Sequence, residues 1–290
     1  MTILVTGAAG QVGRECVERG GSDVIGLDRK SLDLRDTAAI QSVFSRLHPR
    51  VVINAAAYTA VDKAESEPEA AFAINRDGTA RLTTACEQAK IPLIHISTDY
   101  VFDGSKTDPY IETDAVNPLG VYGKSKQQGE AALRQTLAQH LILRTSWVFG
   151  RYGPNFVKSI LRLAREKPEL RVVADQYGAP THAGALADVL LALARRAARG
   201  ESLPWGTYHY CGAPFTSWHG FAETIISKSA ALGLLACRVP VRSITTAEFP
   251  TPAQRPANTR LDCALIQDKL DIRPAPWQNG LDEVLKSQAA

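Results

Sequence analysis

Two rhythms of apolar residues alternate through the first half of the chain. Short runs of branched apolar residues at Thr2–Thr6, Asp23–Leu27, Val51–Asn54, Leu93–Ser97 and Leu141–Arg144 read as buried strands. Between them the apolar positions recur at helical spacing, which predicts helices near Gln11–Arg19, Thr37–Leu47, Ala70–Ala89 and Pro118–Gln139. Regular strand–helix alternation with β-branched strands predicts an α/β fold, a Rossmann-type doubly wound parallel sheet. Asn117 and Pro118 suit the start of the last helix, Asn as N-cap and Pro at the first helical position.

After about Trp147 the texture changes. Prolines and turns crowd Gly150–Pro154, Gly178–Pro180, Phe249–Pro252 and Arg273–Pro276, with helical patterns at Phe156–Glu166, Ala185–Ala198 and Trp218–Leu232. The expected organisation is a dinucleotide-binding domain over residues 1–146. A smaller C-terminal α/β lobe that closes over a substrate follows over 147–290, and the chain can cross back between the two.

The chain has 290 residues and a dispersed net charge of +3, with no long basic run, so nucleic acid is not an expected partner. Its five cysteines are scattered, odd in number and without CxxC spacing, which suits a reducing cytoplasm and argues against a structural zinc site. Met1 leads straight into the first strand, leaving no room for a signal sequence. No apolar run approaches the roughly 20 residues that span a bilayer.

Gly7, Gly10 and Gly13 follow the first strand with GxxGxxG spacing, and a helical stretch comes next. Such a turn lets the backbone approach a pyrophosphate, which the helix N-terminus binds through free N–H groups and its dipole. Asp28 closes the second strand, where a carboxylate can accept hydrogen bonds from an adenosine ribose. A reduced nicotinamide cofactor, NADH or NADPH, is the expected hydride source. Asp28 repels a 2′-phosphate and Arg29 attracts one, so dual use is expected.

Tyr122 and Lys126 stand four residues apart, on one face of a helix. An ammonium beside a phenol is expected to lower the phenol pKa towards neutrality and make it a proton donor. Thr98, at the end of the fourth strand, can hold the oxygen being protonated. These three residues are the expected catalytic set.

Asn54 to Ala57 end the third strand with small side chains, suited either to a cofactor lying on the strand ends or to close helix packing. Asp99 reads equally as a capping residue or as a substrate contact. Trp147 reads as core or as a stacking wall for a sugar or base. Arg255, in the Pro-flanked loop Thr251–Pro256, reads as a surface arginine or as a bidentate diphosphate clamp. The run Asp62–Glu65 reads as a solvated loop and helix start, and His95 as a satisfied core residue.

Together these strings resemble the extended short-chain dehydrogenase/reductase superfamily and, within it, the family of dTDP-4-dehydrorhamnose reductases. The resemblance runs nearly end to end, through Gly7–Gly13, Val52–Glu65, Ser97–Phe102, Tyr122–Lys126, Arg144–Trp147, Asp175–Thr181 and the Thr251–Arg260 loop. It implies reduction of a dTDP-4-keto sugar, with Tyr122 as proton donor, Lys126 its partner and the ligand of the nicotinamide ribose, and Thr98 the third member. It further implies that Gly10, Gln11 and Val12 contact the cofactor pyrophosphate and Asp28 the adenosine ribose. Asp33 and Leu34 would flank the adenine, and Ala57, Tyr58 and Thr59 would line the cofactor cleft. Thr98, Asp99 and Trp147 would touch the substrate sugar. Some family members share a magnesium ion between subunits through glutamates. Glu15 matches one such ligand but Gly184 stands where a second would align, so no metal is expected, and the chain would be a monomer or a homodimer. A related epimerase or dehydratase, which needs an additional acid/base pair near Thr98, is the rival chemistry. A non-catalytic cofactor-binding regulatory subunit is the rival of another class.

Overall fold

The structure, a computed structural model, describes residues 2–288. Strand β1 (Ile3–Thr6) is fully buried, with the edge strand β2 (Val24–Leu27) on one side and β3 (Val51–Asn54) on the other. Strands β4 (Leu93–Thr98), β5 (His140–Thr145) and β6 (Gly206–His209) extend the sheet beyond β3, and all pairings are parallel. The sixth strand therefore comes from the second half of the chain.

Period-two alternation inside these strands feeds two cores. Leu4, Val52, Leu93 and Ile142 face helices α2 (Thr37–Leu47), α3 (Thr79–Ala89) and α4 (Val121–Thr136). Ile3, Val5, Ile53, Ile94 and Leu143 face α1 (Gln11–Gly20) and the long apolar helix Ala183–Ala198. Burial on both faces is what a continuous apolar strand needs, and it explains why these strands are legible as runs. A third core joins the helices Phe156–Glu166, Trp218–Ala231 and Trp277–Lys286 to the parallel pair Leu170–Val173 and Val241–Ile244.

The chain leaves β1 for β2 on one side and returns to β3 on the other, so the sheet has its switch point between β1 and β3. Ligand crevices open there, at the carboxyl ends of the strands.

Two predicted boundaries differ. Helix α4 starts at Val121 with Gly120 as N-cap, not at Pro118. Asn117 instead donates its side-chain amide to Asp103 Oδ2 at 3.0 Å, and Glu65 Oε1 receives the first helical N–H, that of Val121, at 2.8 Å. The helix expected over Ala70–Ala89 is continuous but changes type, with a π-helical segment at Ala73–Gly78 between Pro68–Phe72 and α3. All five cysteines are free, and among the described residues no helix is long and apolar enough to cross a membrane.

Candidate active site

The Gly-rich turn is shaped by contact. Gly7 has φ 72°, and a Cβ on it would lie 2.5 Å from the Ala56 nitrogen. A Cβ on Gly13 would lie 2.2 Å from the Gly7 carbonyl oxygen. Only glycine lets α1 start this close to the ends of β1 and β3. Gly10 is the N-cap of α1 and makes no side-chain cap, so the first N–H groups of the helix, at Gln11 to Gly13, have no partner within it. This cradle fits a pyrophosphate. Val12 is buried, so only its backbone can take part, and Gln11 Oε1 accepts from Asn155 Nδ2 at 3.2 Å.

At the end of β2, Asp28 Oδ1 closes a local turn, accepting from Lys30 N, Ser31 N and Ser31 Oγ at 3.1, 2.9 and 2.8 Å. Oδ2 is left for a ribose hydroxyl. The same bonds, that of the Ser31 hydroxyl foremost, hold the carboxyl below its usual range. Asp33 is gripped by Arg35, and its pKa falls to about 2 for that reason. Leu34 is buried against Gly78. Ala57, Tyr58 and Thr59 lie in the coil after β3, and Asn75 clamps the Tyr58 main chain from both sides, at 2.9 and 3.0 Å. Asn75 also donates to Ser125 on α4 at 2.9 Å. It sits in the π-helical segment, which no periodicity marks.

The strand end and α4 bring Thr98, Tyr122 and Lys126 together. Thr98 Oγ1 donates to Asp99 Oδ1 at 3.0 Å and accepts from Tyr100 N at 3.2 Å. The Tyr122 phenol pKa is raised to about 12 by the packing around it, with the Thr98 hydroxyl pulling it down in part, and is not lowered by Lys126 as the spacing suggested. The reason is geometric. Lys126 turns its Nζ away into the sheet, to the Ile96 carbonyl at 2.7 Å and His95 Nε2 at 3.1 Å. Burial there lowers the lysine pKa to about 8. Tyr122 consequently keeps its proton throughout the neutral range, the form that can give it away.

Asp99 is buried, and desolvation raises its carboxyl pKa to about 7. The Thr259 hydroxyl beside it, engaged with the Tyr177 carbonyl, offsets part of that rise, and Asp99 Oδ2 is left without a hydrogen-bond partner. Arg255 Nη2 pairs with Asp62 Oδ1 at 2.8 Å, its Nη1 is buried and unpartnered, and its guanidinium lies over the Tyr100 ring. Trp147, at φ 48°, stacks on Trp218 with ring centroids 3.6 Å apart. A cavity of about 600 Å³ runs from Tyr100, Asp62 and Arg255 past Phe156 and Trp218 to Arg171 and Phe249. The unpaired Nη1 of Arg255, which lines this cleft, is a donor that a polar ligand can use. A second cavity, of about 560 Å³, lies away from all of these groups, among His48, Arg50, Lys90 and Trp205.

The Asp62–Glu65 run lies at a helix start, Val61–Ala64, with Lys63 and Glu65 exposed, but two of its carboxylates also hold other elements. Asp62 ties the Thr251–Pro256 loop to the site through Arg255 and the Ala253 N–H, and Glu65 caps α4. Sequence reading missed both roles, because their partners lie far along the chain. Glu15 is buried, and Arg19 and Arg151 take its two oxygens at 2.8 and 3.0 Å. Arg19 also reaches Asp188 and Glu283, and a Cβ on Gly184 would lie 2.3 Å from its Nη2. Two guanidinium groups already neutralise these carboxylates, so the residues do not fit a metal. Among the described residues no group of three or more His, Cys, Asp or Glu could hold one.

A doubly wound sheet with a glycine turn after β1 and a Thr–Tyr–Lys set at β4 and α4 defines a nicotinamide-dependent oxidoreductase of the short-chain dehydrogenase/reductase type. The sequence pattern of the RmlD substrate binding domain family matches residues 1–290. A dTDP-4-dehydrorhamnose reductase of Aggregatibacter actinomycetemcomitans is 44% identical over 286 residues, 97% of each chain. The crystal structure of such a reductase from Clostridium acetobutylicum superposes with TM-score 0.92 at 36% identity, over 100% of both chains. That of the Bacillus anthracis reductase in complex with NADP gives 0.90 at 33%, over 99% of this chain and 100% of that one. The chain belongs to the dTDP-4-dehydrorhamnose reductase family.

Proposed function

We infer that the chain reduces dTDP-4-dehydro-L-rhamnose to dTDP-L-rhamnose with NADH or NADPH. The observation that carries this reading is that Thr98 at the end of β4 and Tyr122 and Lys126 on α4 come from neighbouring elements at the carboxyl ends of the strands. The bound reduced nicotinamide supplies a hydride to C4. Thr98 and Tyr122 hold the C4 oxygen, and Tyr122 transfers its phenolic proton to that oxygen as negative charge develops there. Lys126, when it carries a proton, stabilises the phenolate that remains. Arg255 offers its free Nη1 to the diphosphate, and Asp99 its free Oδ2 to a sugar hydroxyl. The stacked Trp147 and Trp218 wall the sugar end.

The single intact set of acid/base groups supports a reductase over an epimerase or a non-catalytic subunit. No metal takes part in this scheme. A cytoplasmic monomer or homodimer is the proposed working state. Reduced-cofactor absorbance followed with a panel of dTDP-4-keto sugars tests the reading. The L-lyxo-configured rhamnose precursor should be consumed fastest, and turnover confined to another sugar would overturn it.

A further inference from the structure

The buried groups behind Lys126 form a chain whose polarity can be worked out atom by atom. Asn54 Oδ1 accepts from the Thr6 hydroxyl at 2.7 Å and from the Ala56 backbone N–H at 3.1 Å. A backbone N–H can only donate, so that atom is the oxygen and the other is the NH₂ group. The Asn54 Nδ2 therefore donates to His95 Nδ1, 3.0 Å away, and Nδ1 has no proton. His95 is wholly buried on β4 and held neutral by desolvation, so its one proton sits on Nε2. That N–H faces Lys126 Nζ at 3.1 Å. Nζ can accept it only as a neutral amine, and it spends one of its own N–H groups on the Ile96 carbonyl.

We propose that Thr6, Asn54 and His95 form a tautomer lock that presents a hydrogen-bond donor to Lys126 and so lowers the pH at which this lysine releases its proton. His95 and Asn54 are positioning residues, acting through Lys126. The proposal deepens the reductase reading and rests on it for its catalytic consequence. Lys126 stabilises the Tyr122 phenolate only while it carries a proton, and the lock lowers the pH at which that proton is lost. An ordinary lysine would hold it. The other charged groups facing this chain are few. Glu130, one turn along α4, favours the ammonium but is itself neutralised by Arg144 and Arg134. His140 on β5 faces His95, and its own burial keeps it from charging.

Asn54→Asp separates this role from a structural one. The carboxylate keeps the bonds from Thr6 and Ala56 but presents a second acceptor to His95, which must then move its proton to Nδ1. Long-range ¹⁵N correlation spectra of the histidine-labelled protein read the tautomer without any turnover, and the His95 signal is assigned by its loss in His95→Leu. The wild type should show the Nε2–H form between pH 6 and 9, and Asn54→Asp the Nδ1–H form. In pH profiles of kcat/KM, the alkaline limb should move up by about one unit or more in Asn54→Asp, because Nζ now meets an acceptor. An Nδ1–H tautomer in the wild type, or an alkaline limb that stays put or moves down in Asn54→Asp, would overturn the proposal. Absence of turnover at every pH would count against the reductase reading, while the spectra would still decide the lock.

Discussion

Glu130 stands one turn beyond Lys126 on α4, and Arg144 from β5 grips its carboxylate at 2.9 and 2.8 Å. Both side chains are buried. Ser97 on β4 adds a bond of 2.5 Å and Arg134 one of 3.0 Å. The group fixes the register of the catalytic helix against two strands of the sheet. Glu130→Gln leaves Arg144 as an uncompensated buried cation. It should cost about 3–5 kcal/mol of stability, read as a lower denaturant midpoint at unchanged m-value. Replacing both partners with methionine should restore much of that loss, because the desolvation penalty leaves with the charges.

Asp28 makes the cofactor choice testable. Its Oδ1 is committed to the Lys30–Ser31 turn, which leaves one oxygen to accept from a ribose hydroxyl and to repel a 2′-phosphate. The wild type should use both NADH and NADPH. Asp28→Ala should raise the NADPH-to-NADH ratio of kcat/KM by roughly tenfold or more. A wild type inactive with saturating NADH would contradict this role for Asp28.

Asp99 links pH to stability. Its folded carboxyl holds a proton to about pH 7, because burial penalises the charge, whereas an unfolded aspartate gives it up near 3.9. A raised carboxyl pKa adds stability that is complete below the unfolded value and is lost as pH rises through the folded one. Between pH 4 and 8 the wild type should therefore lose about 2–4 kcal/mol relative to Asp99→Asn. Denaturant titrations of both proteins at the two pH values measure it, and parallel behaviour would show that Asp99 is not desolvated.

What the sequence made legible is what local pattern controls. Runs such as Val51–Asn54 are buried on both faces, so their strands stand out, and the crowding at Gly7 and Gly13 explains glycines that the spacing alone only suggests. Interactions across long separations were not legible. Asp62 meets Ala253 across 191 positions, a tie that no local pattern reveals. His95 reads as a core residue because its apolar neighbours are visible and Lys126, 31 residues on, is not. The Tyr122 pKa ran the other way from expectation for a related reason. Four-residue spacing puts Lys126 on the right face of α4 but does not say that its amine turns into the sheet.

Chelation tests the arginine-filled acidic cluster. With Glu15 held by Arg19 and Arg151, and Asp188 and Glu283 held by Arg19, EDTA should leave both turnover and the mass by light scattering unchanged. Loss of either on chelation, restored by magnesium, would mean that a cation displaces Arg19.

The most direct test compares the purified chain with Tyr122→Phe, using dTDP-4-dehydro-L-rhamnose and a reduced cofactor carrying deuterium at its transferable position. The wild type should place the deuterium at C4 of dTDP-L-rhamnose. Tyr122→Phe should bind cofactor about as well but turn over on the order of a hundred- to ten-thousand-fold more slowly. Near-normal turnover in the variant, or a product without deuterium at C4, would contradict the assignment.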